Sequence, residues 1–297
     1  MNRMSALMFV VAFLLTTFAL RTVAGEQERS QPFIVSTKWL AAHLKDPDLI
    51  LLHVGEKPQY DTAHIPGAQF ISRDQISTPR GQGLTLELPS VAHLDSVFES
   101  MGISNNSKII LYFGKDWTSP TSRVFFTLDY IGLGNRTSYL DGGMPVWIED
   151  GNSVTREIIA PKMGTIKRLR IDNVAVNLDW MKSNLESPHV KIIDARTRNY
   201  YTGKDTGYGM RPGHIPSARS LPFVDLTNAN GTFKSTDELK VMFQAQDIKA
   251  DDEVVSYCHI GQQATLVYFV ARSLGYRAKV YDGSFEEWGR QQDLPVV

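Results

Sequence analysis

Short apolar runs alternate with amphipathic segments along most of the chain. Leu49–Val54 and Ile109–Phe113 are short, apolar and rich in branched or aromatic residues, which predicts two buried strands. Helical periodicity surrounds them at Thr37–Lys45, Ser90–Met101 and Ser122–Ile131. Strands that alternate with helices in this way predict an α/β domain, with a mainly parallel sheet flanked by helices.

The second half of the chain repeats this order. It contains two further predicted strands and three further predicted helices, at Val190–Ala195, Val254–Tyr257, Leu178–Leu185, Thr236–Phe243 and Thr265–Leu274. A glycine follows the last helix of each set, Gly132 in one half and Gly275 in the other, as is typical of helix ends. The pattern therefore predicts two copies of one domain.

Short sequence segments recur in the same order as the predicted elements. A His-Ile-Pro turn begins at His64 and again at His214, and an Asp-Gly segment that runs to a tryptophan follows in each half. Between them, the alignment places Gly114 opposite Cys258. Repeated matches in one order indicate a duplicated domain with loop insertions. The predicted divisions are a leader at 1–25, a first domain at 33–150, a linker at 151–171 and a second domain at 172–297.

Composition fits two globular domains and narrows the class of partner. The chain has 297 residues, of which 42% are hydrophobic and 21% charged, enough to bury a sizeable core in each half. Its 31 basic and 32 acidic residues nearly balance. This balance gives no reason to expect a nucleic-acid partner or binding to an anionic membrane surface.

The first 25 residues have the layout of a secretory signal. Arg3 is followed by the apolar run Met4–Leu20 and then by the small residues Ala24 and Gly25, where cleavage is predicted. An uncleaved membrane anchor is the alternative, because Arg21 lies where a cleavable signal is usually neutral. Either reading predicts that the domains are exported, most simply to the periplasm, and a cleaved signal predicts no membrane span in the mature chain.

Cys258 is the single cysteine of the chain, so no intramolecular disulfide can form. A lone cysteine in an exported protein is either a reactive thiol or a buried, inert one. It follows a predicted strand directly and precedes a helix, which is the carboxyl end of a parallel strand, where ligand crevices form. This position favours a reactive thiol.

The loop after Cys258 is suited to holding an anion. Its residues are His259, Ile260, Gly261, Gln262, Gln263 and Ala264. Gly261 permits a positive backbone angle, so the loop can curl until its amide N–H groups point at one centre. Such a nest at a helix N-terminus binds anions and favours a thiolate over a thiol. It would equally hold a persulfide or an anionic substrate.

Together these features resemble the tandem-domain rhodanese family. The resemblance rests on the Tyr-Cys sequence, the Cys-x-x-Gly-x-Ala loop, the helix after it, the Asp-Gly segment ending at Trp288 and the Gly-His-Ile-Pro turn. It implies transfer of sulfane sulfur from a small anionic donor such as thiosulfate to cyanide or a thiol, through a persulfide on Cys258. It also implies a reaction without cofactor or metal, and an inactive N-terminal domain that walls the cleft.

Supporting residues are expected near the loop. The resemblance implies that Asp194 and Arg196 brace the loop through hydrogen bonds. Arg198 is the candidate for contact with the substrate anion, although the family's arginine stands one residue before an aromatic residue. His259 is either a donor or partial positive charge beside a sulfonate, or an exposed loop histidine. His64 and His214 occur in both halves, including the one without cysteine, which indicates turn architecture rather than catalysis.

Several alternatives remain open. A related phosphatase would need an arginine where Ala264 stands, and the loop contains none. A 3-mercaptopyruvate sulfurtransferase would be expected to carry a Gly-Ser-Gly type of loop, which is missing, and a sulfur carrier would need the same loop as an enzyme. In the first domain, Gly114 cannot form a persulfide, the loop after it is predicted to be longer, and Lys115 or Trp117 is a candidate for shaping the substrate mouth.

Overall fold

Two α/β domains of the same topology make up the protein. The structure is a computed structural model that describes residue 29 and residues 31–115, 118–167, 173–207 and 209–297. The predicted leader at 1–25 lies outside these residues, and no helix within them is long and apolar enough to cross a membrane. The α/β architecture predicted from the sequence is confirmed.

Each domain contains a five-stranded sheet in which all paired strands are parallel. The first sheet has the order β1-β5-β4-β2-β3 and the second has the order β6-β10-β9-β7-β8. The strands are β1 Ile34–Val35, β2 Leu49–Val54, β3 Ala68–Ile71, β4 Lys108–Phe113, β5 Thr137–Leu140, β6 Ala175–Val176, β7 Val190–Asp194, β8 Arg219–Ser220, β9 Glu253–Tyr257 and β10 Arg277–Tyr281.

Helices cover both faces of each sheet. They are α1 Thr37–His43, α2 Lys57–Thr62, α3 Val91–Ser100, α4 Thr118–Tyr130, α5 Gly143–Glu149, α6 Leu178–Asn184, α7 Arg198–Tyr201, α8 Thr236–Gln244, α9 Ala264–Ser273 and α10 Ser284–Arg290, with short 3-10 turns at Arg73–Ile76, Gly134–Arg136 and Phe223–Leu226. Corresponding helices begin alike, since Ser90 and Ser235 accept the backbone N–H three residues on. Gly132 and Gly275, at φ of 85° and 87°, confirm the predicted helix ends.

One predicted helix start was wrong. Helix α4 begins at Thr118 rather than at Ser122, so most of the predicted long loop after Gly114 is helical. Eight residues separate Phe113 from Ser122 and six separate Cys258 from Thr265, so the first domain does carry an insertion. That insertion lengthens the helix instead of widening the loop, because the added turn satisfies its own backbone hydrogen bonds.

The segment predicted as a linker runs along the first domain. Thr155 pairs with His64 in an isolated antiparallel bridge, and the Gly164 N–H donates to the Glu99 carbonyl at 2.7 Å. The side chain of Glu99 also accepts from Ile166 N at 2.7 Å. The described part of the linker is therefore held to the first domain up to residue 167, and the rest of it lies outside the described residues.

The two domains share one apolar core. Helix α4 packs against α9, and the largest cluster of buried apolar side chains contains residues from both domains. Phe125 meets Phe269 edge to face at 4.8 Å between ring centroids, and Phe126 meets Tyr268 at 5.4 Å. Buried polar contacts flank this packing, since Arg272 Nε lies 3.2 Å from Asp129 Oδ2, which also accepts from the Tyr268 hydroxyl.

Each domain also binds a loop of the other domain through an equivalent aspartate. In the first domain, the Leu88 N–H donates to Asp282 Oδ2 of the second domain at 2.9 Å. In the second, the Phe233 N–H donates to Asp141 Oδ1 of the first at 2.8 Å. Asp141 and Asp282 are the repeated Asp-Gly residues, so each domain uses the same turn to bind a loop of its partner. The duplication is thus also an approximate twofold relation between the domains.

The shared core makes a prediction about the halves. Residues 172–297 expressed alone should aggregate or unfold more readily than the full chain, because separation exposes the apolar face of α9. Size-exclusion chromatography with light scattering checks this, and co-expression with residues 31–167 should restore a soluble, equimolar complex. A monomeric half with the thermal stability of the full chain would contradict the interpretation.

Candidate active site

Cys258 lies directly after β9 and faces the interdomain core. Its side chain is fully buried. The Cys258 N–H donates to Ser284 Oγ at 3.2 Å, while its carbonyl accepts from Phe285 N at 3.0 Å. These contacts hold the end of β9 against the start of α10. The cysteine therefore stands at the carboxyl edge of the sheet, as predicted, on a backbone fixed from two sides.

The loop between Cys258 and α9 has the curled form expected of an anion nest. Gly261 has a φ of 75°, and a Cβ at that residue would lie 2.7 Å from the Asp282 carbonyl oxygen, so only glycine fits. Among the residues that the structure describes, no acceptor receives the backbone N–H groups of Ile260, Gly261, Gln262 or Gln263. Unpaired N–H groups in a largely buried loop are rare, and these lie at the N-terminus of α9. They are donors available to an anion.

Side chains of the first domain hold this loop. The buried guanidinium of Arg123, on α4, donates to the Gly261 carbonyl at 3.1 Å, to Asp282 Oδ1 at 2.6 Å and to the Leu86 carbonyl at 2.6 Å. Arg73 Nη1 donates to Gln262 Oε1 at 2.9 Å. The sequence reasoning missed both arginines. A basic residue within the apolar stretch of α4 was the available signal for Arg123.

Asp194 and Arg196 form the pair predicted as a brace. Arg196 donates to both carboxylate oxygens of Asp194, with Nη2 at 2.6 Å from Oδ2, and to the Gly213 carbonyl at 2.7 Å. The Tyr257 hydroxyl donates to Asp194 Oδ2 at 2.8 Å and accepts from Ile215 N at 3.1 Å. The pair is buried and fixes the residue before Cys258. Its role in the reaction stays a prediction.

His259 is an uncharged, buried ring rather than an exposed loop residue. Its ring meets that of Tyr200 edge to face, with centroids 4.4 Å apart. Burial, with the charge of Arg196 adding to it, lowers the pKa of His259 from 6.5 to about 4. The alternative of an exposed loop histidine is therefore wrong, and the action of His259 as a donor or partial positive charge beside a sulfonate stays a prediction.

The remaining predicted residues fall into distinct places. Ala264 begins α9 and is buried, while Arg198 begins α7 and is exposed. The Arg198 side chain makes no hydrogen bond or ion pair to any described residue, and its contact with substrate stays a prediction. His64 and His214 bind carbonyls through Nδ1 at 2.8 Å and 2.9 Å, which agrees with turn architecture.

The register of the two sheets corrects the alignment of the cysteine. In the first sheet His53 pairs with Tyr112, and in the second Asp194 pairs with Tyr257. Phe113 therefore corresponds to Cys258, and Gly114 corresponds to His259, one residue from the alignment made on the sequence. Gly143 corresponds to Ser284, and a Cβ placed on Gly143 would lie 2.8 Å from the ring of Phe113. The first domain thus has an aromatic ring in the place of the Cys258 side chain.

Of the two residues predicted to shape the substrate mouth, the structure describes one. Lys115 is exposed and lines a cavity with Gly114 and Arg73 in the first domain. Trp117 lies outside the described residues. A second cavity, lined by Arg73, Arg80 and Ile260 among others, has a volume of about 370 Å³ and lies between the first domain and the Cys258 loop. Its position agrees with a cleft between domains.

Comparison with known proteins assigns the family. The sequence profile of the Rhodanese-like domain matches residues 36–150 and 177–291. The thiosulfate sulfurtransferase of Pseudomonas aeruginosa is 30% identical, covering 89% of this chain and 97% of that protein. The sulfur carrier protein TtuD of Thermus thermophilus is 31% identical, covering 89% and 96%. The chain therefore belongs to the rhodanese family, as a tandem of two rhodanese-like domains, and is a member of its sulfurtransferases.

Other similarities agree with this assignment. The thiosulfate/3-mercaptopyruvate sulfurtransferase 1 of Arabidopsis thaliana is 30% identical, covering 90% of this chain and 78% of that protein. The crystal structure of YnjE superposes with a TM-score of 0.77 at 24% identity, covering 89% of this chain and 68% of that one. The wild-type structure of EanB does so with a TM-score of 0.78 at 21% identity, covering 89% and 68%. These two structures show the fold alone.

Removing the Arg123 guanidinium should loosen the Cys258 loop. We expect Arg123→Met to lower the free energy of unfolding by about 3 kcal/mol, since it leaves Asp282 without its buried partner. Sulfur transfer should fall at least about tenfold if the loop loses its geometry. Urea unfolding and steady-state kinetics check the two effects, with Arg156→Met as the control at an exposed arginine. Wild-type turnover in Arg123→Met would show that the loop needs no support from the first domain.

The low pKa of His259 predicts how stability depends on pH. The unfolded chain takes up a proton near pH 6.5, whereas the folded chain does so only near 4. The contribution of His259 to the free energy of unfolding is therefore fully present above pH 6.5. It is lost as the pH falls from 6.5 to 4, by about 1.4 kcal/mol per pH unit. Denaturant unfolding should show a smaller loss in His259→Gln and an unchanged loss in His93→Gln, at an exposed histidine. Equal losses in His259→Gln and the parent would refute this assignment.

Proposed function

We propose that this protein is a thiosulfate sulfurtransferase that works through a persulfide on Cys258. The observation that carries the proposal is that the N–H groups of Ile260–Gln263, beside the only cysteine of the sequence, have no acceptor among the described residues. They offer hydrogen bonds to a thiolate or persulfide. The relatives named thiosulfate sulfurtransferase, at about the same 30% identity, support the same reaction.

The proposed reaction is a double displacement. The Cys258 thiolate attacks the outer sulfur of thiosulfate, the sulfur–sulfur bond breaks, and sulfite leaves with the electron pair. The persulfide anion is then held by the loop amides and the N-terminus of α9. Cyanide or a thiolate attacks the terminal sulfur, and the Cys258 thiolate is regenerated as the leaving group. Neutral His259 contributes no charge at this centre.

Two alternatives use the same loop: transfer from a different donor, 3-mercaptopyruvate, and a role as a sulfur carrier. A relative in Arabidopsis thaliana is named for both thiosulfate and 3-mercaptopyruvate, and a relative in Thermus thermophilus is named a sulfur carrier. Carrier and enzyme need the same persulfide, so the acceptor separates them. The absence of an arginine at Ala264 argues against a phosphatase, because a phosphoryl group is usually bound by a bidentate guanidinium.

We also propose that the chain is exported, most simply to the periplasm. This rests on the sequence of the first 25 residues: Arg3, an apolar run and small residues at the predicted cleavage point. N-terminal sequencing of the protein from its native cell fraction separates a cleaved signal from an anchor. A mature chain that starts at Gly25 or Glu26 supports cleavage, and an intact Met1 in the membrane fraction supports the anchor.

Cys258→Ser tests the nucleophile. An alcohol is barely ionised at neutral pH and cannot store sulfane sulfur, so the variant should lose all turnover while keeping its fold. Mass spectrometry of the parent after incubation with thiosulfate should show one added sulfur on the peptide that contains Cys258. Thermal unfolding of the variant serves as the control for folding. Full activity in Cys258→Ser would end the persulfide mechanism.

The choice of donor is tested by steady-state kinetics with cyanide as acceptor. We expect a higher kcat/KM with thiosulfate than with 3-mercaptopyruvate. A clear preference for mercaptopyruvate would overturn the donor and leave the nucleophile in place. Rapid loading of Cys258 combined with slow release to every small acceptor would favour the carrier.

A further inference from the structure

The first domain contains a cavity at the place that corresponds to the Cys258 loop of the second. Its volume is about 230 Å³, and it lies at the carboxyl ends of β2 and β4. Gly55, Gln59, Arg73, Gly114 and Lys115 line it, together with apolar side chains. The cavity belongs to the domain without a cysteine, so the proposed reaction does not account for it.

Three differences between the domains open this cavity. The sheet register matches Gly114 with His259 and Gly55 with Arg196. Tyr60 and Tyr201 donate to equivalent carbonyls, those of Ala68 and Ala218, so the residues before these tyrosines, Gln59 and Tyr200, also correspond.

In the second domain this space is filled by the His259 ring packed on Tyr200, with Arg196 beside it. In the first domain two glycines and a glutamine leave it open.

A buried histidine lies against two of the glycines that line the cavity, Gly55 and Gly114. His53 is 1% exposed and stands where the second domain has Asp194. Its Nδ1 lies 3.0 Å from the Tyr112 hydroxyl, which itself accepts from Ile65 N at 3.1 Å. We assign this hydrogen bond as the Tyr112 hydroxyl donating to Nδ1, which leaves the ring proton of His53 on Nε2.

His53 Nε2 has no hydrogen-bond partner within the described part of the chain. A Cβ placed on Gly114 would lie 2.5 Å from Nε2, so this nitrogen points at the backbone that forms the cavity wall. A buried donor left without an acceptor costs free energy unless a ligand supplies one.

Cationic side chains complete the lining. Arg73, which donates to Gln262 through Nη1, and Lys115 are the cationic residues among the described lining. Glu56 is the carboxylate among the described lining residues, and it is exposed to solvent. Donors thus outnumber acceptors inside, and a cavity of this size admits only a small ligand.

We propose that this cavity binds a small oxyanion, whose oxygens accept hydrogen bonds from His53 Nε2, Arg73 and Lys115. Sulfite and short carboxylates share this chemistry. Binding does not require Cys258, so the proposal stands or falls separately from the sulfur-transfer reaction.

The test follows the His53 ring by nitrogen NMR in Cys258→Ser protein labelled at its histidines. Sodium sulfite and sodium acetate are titrated separately at constant ionic strength, against sodium chloride. A saturable shift of His53 Nε2 with sulfite alone identifies a sulfur oxyanion site, and one with acetate identifies a carboxylate site. No shift in either arm, or the same shift with chloride, would overturn the proposal.

Variants separate this site from the Cys258 loop. Lys115→Ala should weaken binding about tenfold, because it removes a charged donor. Lys45→Ala, at an exposed lysine that does not line the cavity, should leave binding unchanged. Gly114→Ala should abolish binding by placing a methyl group against His53. If that variant fails to fold, the His53 titration and the comparison of Lys115→Ala with Lys45→Ala still test the proposal. Wild-type affinity in Lys115→Ala would count against the site.

Discussion

The Arg123 guanidinium is the contact on which the arrangement of the candidate site depends. It is buried, comes from the first domain, and reaches a carbonyl and a carboxylate of the second domain, one of them in the Cys258 loop. A buried charge is tolerable only when its partners are in place, so the two domains must stay docked for the loop to keep its form. The shared core around α4 and α9 supplies the apolar packing that keeps them docked. The first domain, which has no cysteine, therefore contributes directly to the form of the Cys258 loop.

The two domains show how one scaffold serves two purposes. Both place a tyrosine hydroxyl between the residue at the end of the first long strand and the backbone of the His-Ile-Pro turn. In the second domain the strand residue is Asp194, which is paired with Arg196 and leaves the neighbouring loop free to hold an anion. In the first, His53 and Phe113 take the places of Asp194 and Cys258. The two domains thus share the scaffold and differ in the side chains at the carboxyl edge of the sheet.

Much of this could be predicted from the sequence because it is encoded locally. The strands before Gly114 and Cys258 are continuous apolar runs, and the repeated turn and Asp-Gly segments reveal the duplication. The loop after Cys258 was recognisable because a glycine at positive φ and a following helix are both sequence signals. The pairing of Asp194 with Arg196 was expected for a similar reason, since the two residues are neighbours at the end of one strand.

Contacts between distant residues escaped prediction. Arg123 and Arg73 contact the Cys258 loop across the domain interface, and their sequence neighbours do not identify that partner, although a basic residue within the apolar stretch of α4 marks Arg123 as unusual. The match of Gly114 with Cys258 was wrong by one residue because the register is set by hydrogen bonds between strands, which an alignment with loop insertions does not contain. The uncharged state of His259 also depends on burial against Tyr200 and on Arg196, both of which are tertiary features.

In the proposed reaction, the loop amides beside Cys258 hold a sulfur anion. Hydrogen–deuterium exchange of the backbone N–H groups of Ile260–Gln263 tests it most directly, before and after loading with thiosulfate. We predict slower exchange in the loaded protein, because the unpaired N–H groups gain an acceptor, and no change in Cys258→Ser treated in the same way. Identical exchange in loaded and unloaded parent protein, with a sulfur present on Cys258 by mass spectrometry, would contradict the claim.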